Sequence, residues 1–357
     1  MPNPQRSIPA ALTLIFVAPL VAEYLLGDFP VTWLPLLLLL APMYGGGALL
    51  IRELVRRSGR GWPSILLLGC AYCLIEEAYT TQSLFNPHYL GMHLLGPAWI
   101  PWLGIGGWWT LFMLNVHPFW SIGVSIALTE ALFPARVRTP WLGKVGICVA
   151  AALFAAGIYT STYYQLRHDR FRASPAQFLV AALLVAVFAA AAFLLPGSAA
   201  SRKPGAAPSP WLTGMAAFLL GFGVFLAPAI PAILIAMRGG AKDRMNFFDA
   251  SNANLGWASV AWILTVDLAF LLSLRQFSRR SGWTPLHTFS IAAGGALVYG
   301  VHAFLQGPVV PSPRQVVLLS HVLFLVLAVV LIAVGARRTQ RALAGVSVAK
   351  PNLAAED

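Results

Sequence analysis

Ten stretches of about twenty apolar residues follow one another along this 357-residue chain. They lie at 8–26, 33–51, 62–80, 105–133, 142–160, 176–196, 211–237, 254–274, 285–306 and 315–336. A helix of about 20 apolar residues matches the ~30 Å hydrocarbon core of a bilayer. Inside that core each backbone N–H and C=O must be satisfied by the protein itself, which favours helices. The pattern predicts an all-α, polytopic transmembrane helical bundle of about ten spans. Composition closes off the alternatives. Hydrophobic types make up 58% and charged types 10%, against about 25% charge in an average soluble domain. So few charges cannot cover a water-soluble surface, which excludes a soluble enzyme, a disordered chain and a nucleic-acid-binding domain.

The net charge of +12 then reads as topology rather than as nucleic-acid affinity. With a cytoplasmic N-terminus, seventeen of the 24 Lys and Arg fall in inside segments and seven outside. This bias predicts both termini in the cytoplasm of a plasma (inner) membrane protein. The first stretch has no small-x-small cleavage site after Val21-Ala22-Glu23-Tyr24 and is expected to be a retained span. Trp33, Trp62, Trp141, Trp211 and Trp283 stand at or beside helix starts, where an indole prefers the interface. Residues 82–104 carry no charged side chain and three prolines, and predict an outer loop roofing a cavity. Residues 197–210 predict a flexible linker between halves 1–196 and 211–337 of a single membrane domain, 1–337. Residues 338–357 are expected to form a disordered cytoplasmic tail. Cys70, Cys73 and Cys148 all fall in apolar stretches and make no disulfide framework. Cys70-x-x-Cys73 lacks the second pair that a structural metal site needs.

Acids are scarce enough to be informative. Five of twelve lie within predicted spans: Glu23, Glu76, Glu77, Glu130 and Asp267. A carboxylate in the bilayer costs roughly 2.5–3.5 kcal/mol on insertion scales unless it is neutralised, paired or wetted. Glu130, close to Arg136, reads as a structural partner of a loop arginine. Glu23, Glu76, Glu77, His302 and His321 group in the outer part of the bundle, with Asn115 and His117 near mid-depth. Asp267 is expected deeper, apart from them. On a regular helix Glu76 and Glu77 are about 100° apart and would point in different directions. Thr110, His117, Ser121, Ser125 and Thr129 form a polar stripe that must face protein or water. Tyr299, His302 and Gln306 form another. Pro118 should kink or break its helix. Buried acids together with imidazoles are what proton transfer or metal ligation needs, although these residues name neither a metal nor a cofactor.

These residues resemble the motifs of CPBP-type intramembrane proteases, the CAAX-protease and bacteriocin-processing family. Glu76-Glu77 resembles the family's paired glutamates, Met113-Leu-Asn-Val-His117 its Phe-x-x-x-His, and His302-Ala-Phe-Leu-Gln306 its His-x-x-x-Asn. The family's arginine after the glutamates is missing; Thr80, Thr81 and Gln82 stand there. The resemblance implies an intramembrane hydrolase in which Glu76 or Glu77 activates water. His117 and His302 would assist or stabilise the oxyanion. Glu23, Asn115, Tyr299, Gln306 and His321 are then candidates for a substrate or proton pathway. Two other readings stand beside it. Five spans plus five make halves of opposite orientation, as in inverted-repeat proton-coupled transporters, with glycine- or proline-interrupted spans at Tyr44-Gly-Gly-Gly47 and Leu220–Pro231. The third is a non-catalytic scaffold. Partners expected on any reading are the lipid bilayer and, for the active ones, a small-molecule, lipid or peptide substrate.

Overall fold

The computed structural model describes residues 7–194, 203–229 and 253–349. Over those residues each expected stretch holds a helix. In chain order these are α1 Ile8–Leu25 and α2 Val31–Arg57, then α3 Trp62–Leu74 continued by Ile75–Thr80. They are followed by α4 Gly107–Leu132, α5 Lys144–His168 and α6 Pro175–Leu194. The chain ends with α7 Pro210–Phe225, α8 Ala253–Phe277, α9 Pro285–His302 and α10 Arg314–Ala349. Among the described residues seven helices are long and apolar enough to cross a membrane: α1, α2, α4, α5, α6, α8 and α10. The stretch 211–237 is described only as far as residue 229.

Burial sorts the helices. Of the most apolar window of α4, 78% is buried, against 11% for α5 and for α6. The outer helices are hydrophobic on all sides, as a lipid-facing span must be, while α4 runs through the centre. Packed against one another are α1 and α2, α2 and α5, α3 and α6, and α7 and α9. Tyr44-Gly-Gly-Gly47 does not interrupt α2, which is continuous. A Cβ on Gly45 would lie 2.2 Å from the Ile15 carbonyl oxygen. The glycines let neighbouring helices approach backbone to backbone, which is the ordinary use of small residues in membrane bundles.

Residues 82–106 fold over one end of the bundle. They include a short antiparallel pair, β1 Trp99–Ile100 and β2 Ile105–Gly106. The Gln82 side chain accepts a hydrogen bond from Ala173 N at 2.8 Å, which fastens this loop to the start of α6.

Two features at the opposite end differ from expectation. Arg52 and Arg56 count among the orienting cations, yet both are buried. Glu130 pairs with them and not with Arg136: Arg52 Nε and Arg56 Nη2 lie 3.0 and 2.9 Å from its two oxygens. Arg52 also contacts Glu53 at 2.9 Å, and Glu53 accepts the N–H groups of Trp141 and Leu142 at 2.8 and 3.0 Å. Trp141 is fully buried, with the Arg52 guanidinium 3.3 Å from its ring centroid. It serves as a cation–π partner rather than an interfacial anchor. Secondly, α10 runs past Arg337 to Ala349, over residues expected to be a disordered tail. Residues 336–344 are mostly strong helix formers without proline, and Arg338 donates to the Leu132 carbonyl at 2.7 Å. Within the expected linker, Lys203 pairs with the segment after α8, its N–H donating to the Arg279 carbonyl at 2.9 Å.

Candidate functional site

Three helices switch from α- to π-helical turns, at Leu20–Leu25 in α1, Ile75–Thr80 in α3 and Val116–Val124 in α4. A π-turn inserts one extra residue into the hydrogen-bond ladder and re-aims the side chains around it, and it occurs frequently at functional sites. Here the three segments carry Glu23, the pair Glu76 and Glu77, and His117. In α4 the cause is local: Pro118 has no N–H to donate, so the helix widens instead of breaking. Gly69 lets α3 come close at that point, since a Cβ there would lie 2.7 Å from the Pro118 Cα.

The result is one buried polar centre. His117 Nε2 lies 2.9 Å from Glu77 Oε1, and His117 Nδ1 lies 3.2 Å from Glu76 Oε2. All three residues are buried. The expectation that adjacent glutamates must diverge fails, because the π-turn and the two opposite ring nitrogens let Glu76 and Glu77 clasp one imidazole. A neutral imidazole has one donor and one acceptor nitrogen. The Glu77 contact has hydrogen-bond geometry, while Nδ1 also lies 3.5 Å from the Ser121 hydroxyl. Outer partners fix each carboxylate. The Tyr44 hydroxyl contacts Glu76 Oε1 and also Glu23 Oε1. Glu77 Oε2 accepts from the Ser83 hydroxyl and, at 3.0 Å, from the Thr81 hydroxyl. Trp109 Nε1 donates to Ser83 at 3.0 Å, so the roofing loop and α4 hold the same carboxylate. The Tyr72 ring stands 5.9 Å from the His117 ring. One oxygen or nitrogen each from Glu76, Glu77 and His117 fall within 4.8 Å of one another, close enough to hold a metal ion.

Beyond Glu23 the contacts continue to the end of the bundle. Glu23 lies beside Asp28, and Gln306 Nε2 donates to Asp28 Oδ1. Asp28 lies between α1 and α2, outside the spanning segments. Burial, and then the neighbouring Glu23 carboxylate, push its carboxyl well above the ordinary range.

The remaining candidates lie elsewhere. His302 packs on Phe225 with ring centroids 4.5 Å apart and is not among the described contacts of the Glu76–Glu77–His117 set. Tyr299 stacks on Trp120 at 5.5 Å in an aromatic core. His321 lies beside Gly27 and against the Phe304 ring. Asn115 donates to Asp267 Oδ2 at 3.1 Å, which brings Asp267 against α4 at the level of Asn115 rather than deeper. Tyr44, Tyr72, Asp28 and Ser83 went unread in the sequence. Tyr44 precedes the glycine run, a visible signal for close approach, but a tyrosine in an apolar span looks like packing.

Residues 12–354 match the model of an uncharacterized membrane protein family. The chain belongs to that family. No curated protein matches it, and no solved structure does. This member of the uncharacterized membrane protein family is thus a multi-pass membrane protein with a buried Glu/Glu/His centre.

Proposed function

We propose that this protein is an intramembrane hydrolase that cleaves an acyl bond, peptide or ester, in a membrane-resident substrate. One observation carries the reading: Glu76 and Glu77 flank both nitrogens of His117 at 3.2 and 2.9 Å in a buried site. Such a set can take a proton from water as the water oxygen bonds to the acyl carbon, and return it to the leaving group as the acyl bond breaks. Positioned acid–base groups contribute about 10²–10⁴-fold in rate. The paired glutamates and His117 also support the resemblance to CPBP-type proteases, whereas His302 would act only indirectly. The loop 82–106 closes the site from the predicted outer side. The accompanying topology is ten spans with both termini cytoplasmic in the plasma membrane, supported by the cation bias.

The test is turnover of a panel of transmembrane peptides and lipid esters by the reconstituted full chain. Glu77→Gln and His117→Ala, verified as folded, should each abolish it. Full activity in both variants, or none in the wild type across the panel, would overturn the reading. A second reading, proton-coupled transport, is favoured by the contact chain from Glu76 through Tyr44, Glu23 and Asp28 to Gln306. It requires a pH-driven flux in proteoliposomes that Glu23→Gln uncouples.

A further inference from the structure

The roof of the bundle is apolar on both of its sides. Residues 82–104 contain no Lys, Arg, Asp or Glu. Leu84, Leu94, Leu95 and Ala98 are buried against the bundle. Leu90, Met92, Trp99 and Trp102 are exposed, and Trp102 is 81% so. A single exposed apolar residue needs no explanation. Four large ones on one uncharged segment mark a surface that something apolar covers.

The position of the segment says what that is. The β1–β2 hairpin, with Trp102 in its turn, packs through β1 against α8. The approach is close, since a Cβ on Gly256 would lie 2.3 Å from the Ala98 backbone nitrogen. The next residue of α8, Trp257, is exposed, and so is Trp33 in the first turns of α2 at the same end of the bundle. Both helices are long and apolar enough to cross a membrane. Exposed indoles at the ends of such helices form the belt where hydrocarbon gives way to headgroups. Trp99 and Trp102 extend that belt onto the roof.

The backbone holds this presentation in place. Gln82, Leu90 and Ala98 have φ of 55°, 53° and 55°, and among the described residues no others with a Cβ have positive φ. That conformation is unfavourable for any side chain, most of all a bulky one, and persists only where the surroundings impose it. They do so here: Ala173 N donates to the Gln82 side chain at 2.8 Å, and Gln177 Nε2 to the Leu103 carbonyl at 3.3 Å.

We propose that the roof is a membrane-docking surface. Leu90, Met92, Trp99 and Trp102 insert between the phospholipids of the leaflet on the roof's side, at the boundary of headgroups and acyl chains. The surface continues the lipid-facing girdle of α2 and α8. Without lysine or arginine it has no preference for anionic lipid, so a zwitterionic phospholipid serves. The docking goes beyond the hydrolytic reading and stands without it, because it concerns where the roof lies and not what the buried centre does. Ser83, which holds Glu77, belongs to the same segment, so docking also sets the centre directly beneath that leaflet's surface.

The experiment is depth-dependent quenching of the full chain in phosphatidylcholine vesicles. A nitrobenzoxadiazole dye is attached at Trp102→Cys or Leu90→Cys, with Cys70, Cys73 and Cys148 replaced by alanine. Arg170→Cys is the water reference: it is exposed, and its neighbour Asp169 accepts from Asn86 of the roof. Dyes at 102 and 90 should resist iodide several-fold better than the dye at 170. Nitroxide-labelled phosphatidylcholine should quench them best with the nitroxide about 15 Å from the midplane, half of a ~30 Å core. Iodide quenching equal to that at 170 overturns the proposal. Protection from iodide without quenching by the lipid nitroxide means that another protein chain covers the face, and also overturns it. Should the labelled variants misfold, hydroxyl-radical footprinting of the wild type in the same vesicles decides. Oxidation of Trp102 and Met92 several-fold slower than in the urea-unfolded chain supports docking, and equal oxidation overturns it.

Discussion

Two groups of acids occupy opposite ends of the bundle, and they are built differently. At one end Arg52 and Arg56 hold Glu53 and Glu130, and the charges cancel. Arg52 Nη2 satisfies three carbonyls between Arg136 and Thr139, so the group also ties the α4–α5 connection to α2. The helices bearing Arg52, Glu53, Arg56 and Glu130 are ordinary α-helix there. At the other end Glu76 and Glu77 share one histidine, Tyr44 links Glu76 to Glu23, and Glu23, both adjacent glutamates and His117 all sit on π-helical turns. The first arrangement neutralises buried charge with the protein's own cations. The second leaves an excess of acid and distorts three helices to assemble it. Burial alone therefore does not mark a site; charge balance and backbone regularity separate acids neutralised in place from acids left in excess.

The same substitution should separate the two groups most sharply. Glu130→Gln leaves two buried guanidinium groups short of a charge, and breaking a buried pair from one side costs about 3–5 kcal/mol. The protein is expected to lose most of its monodisperse yield on size exclusion. Glu77→Gln removes one charge from an acid-rich group and should fold with a melting temperature at or above that of wild type. Equal losses in the two variants would erase the distinction.

Next in size is Tyr44→Phe. The tyrosine joins the site to Glu23, and its loss leaves buried carboxylate oxygens without a donor, at about 1–3 kcal/mol. A lowered melting temperature with secondary structure unchanged is expected. No change would mean that Glu23 does not belong to the centre.

This contrast also explains what could be read from the sequence. Spans follow from run length, because the bilayer sets one thickness for every crossing. Glu76, Glu77 and His117 stand out because charged and titratable groups are rare in such runs. The convergence of Glu76 and Glu77 was hidden, since a one-residue shift in hydrogen bonding has no signature beyond Pro118. Arg52 and Arg56 were equally hidden: at the end of an apolar run, a buried arginine and a solvated one look alike. His302 is harder to read for a related reason, as spacing places it on a stripe with Gln306 but cannot tell that its ring packs on Phe225.

The smallest expected effect lies where the acid-rich group reaches the end of the bundle. Asp28 is pushed well above the ordinary carboxylate range, first by burial and then by the Glu23 charge. An acid whose value is raised on folding binds more protons folded than unfolded. Its contribution is therefore fully present below the ordinary carboxylate range and is lost as pH rises through the raised value. Asparagine at 28 keeps an oxygen for Gln306 and offers an amide to Glu23, but cannot titrate. The melting temperature of Asp28→Asn minus that of wild type, in one detergent, should thus grow from pH 5 to pH 8. A difference that stays constant over this range would mean that Asp28 ionises as freely folded as unfolded, and that the acid excess stops at Glu23. The balanced group supplies the control: Glu53 is held by arginine and backbone N–H groups, so Glu53→Gln should destabilise at pH 8 instead of stabilising.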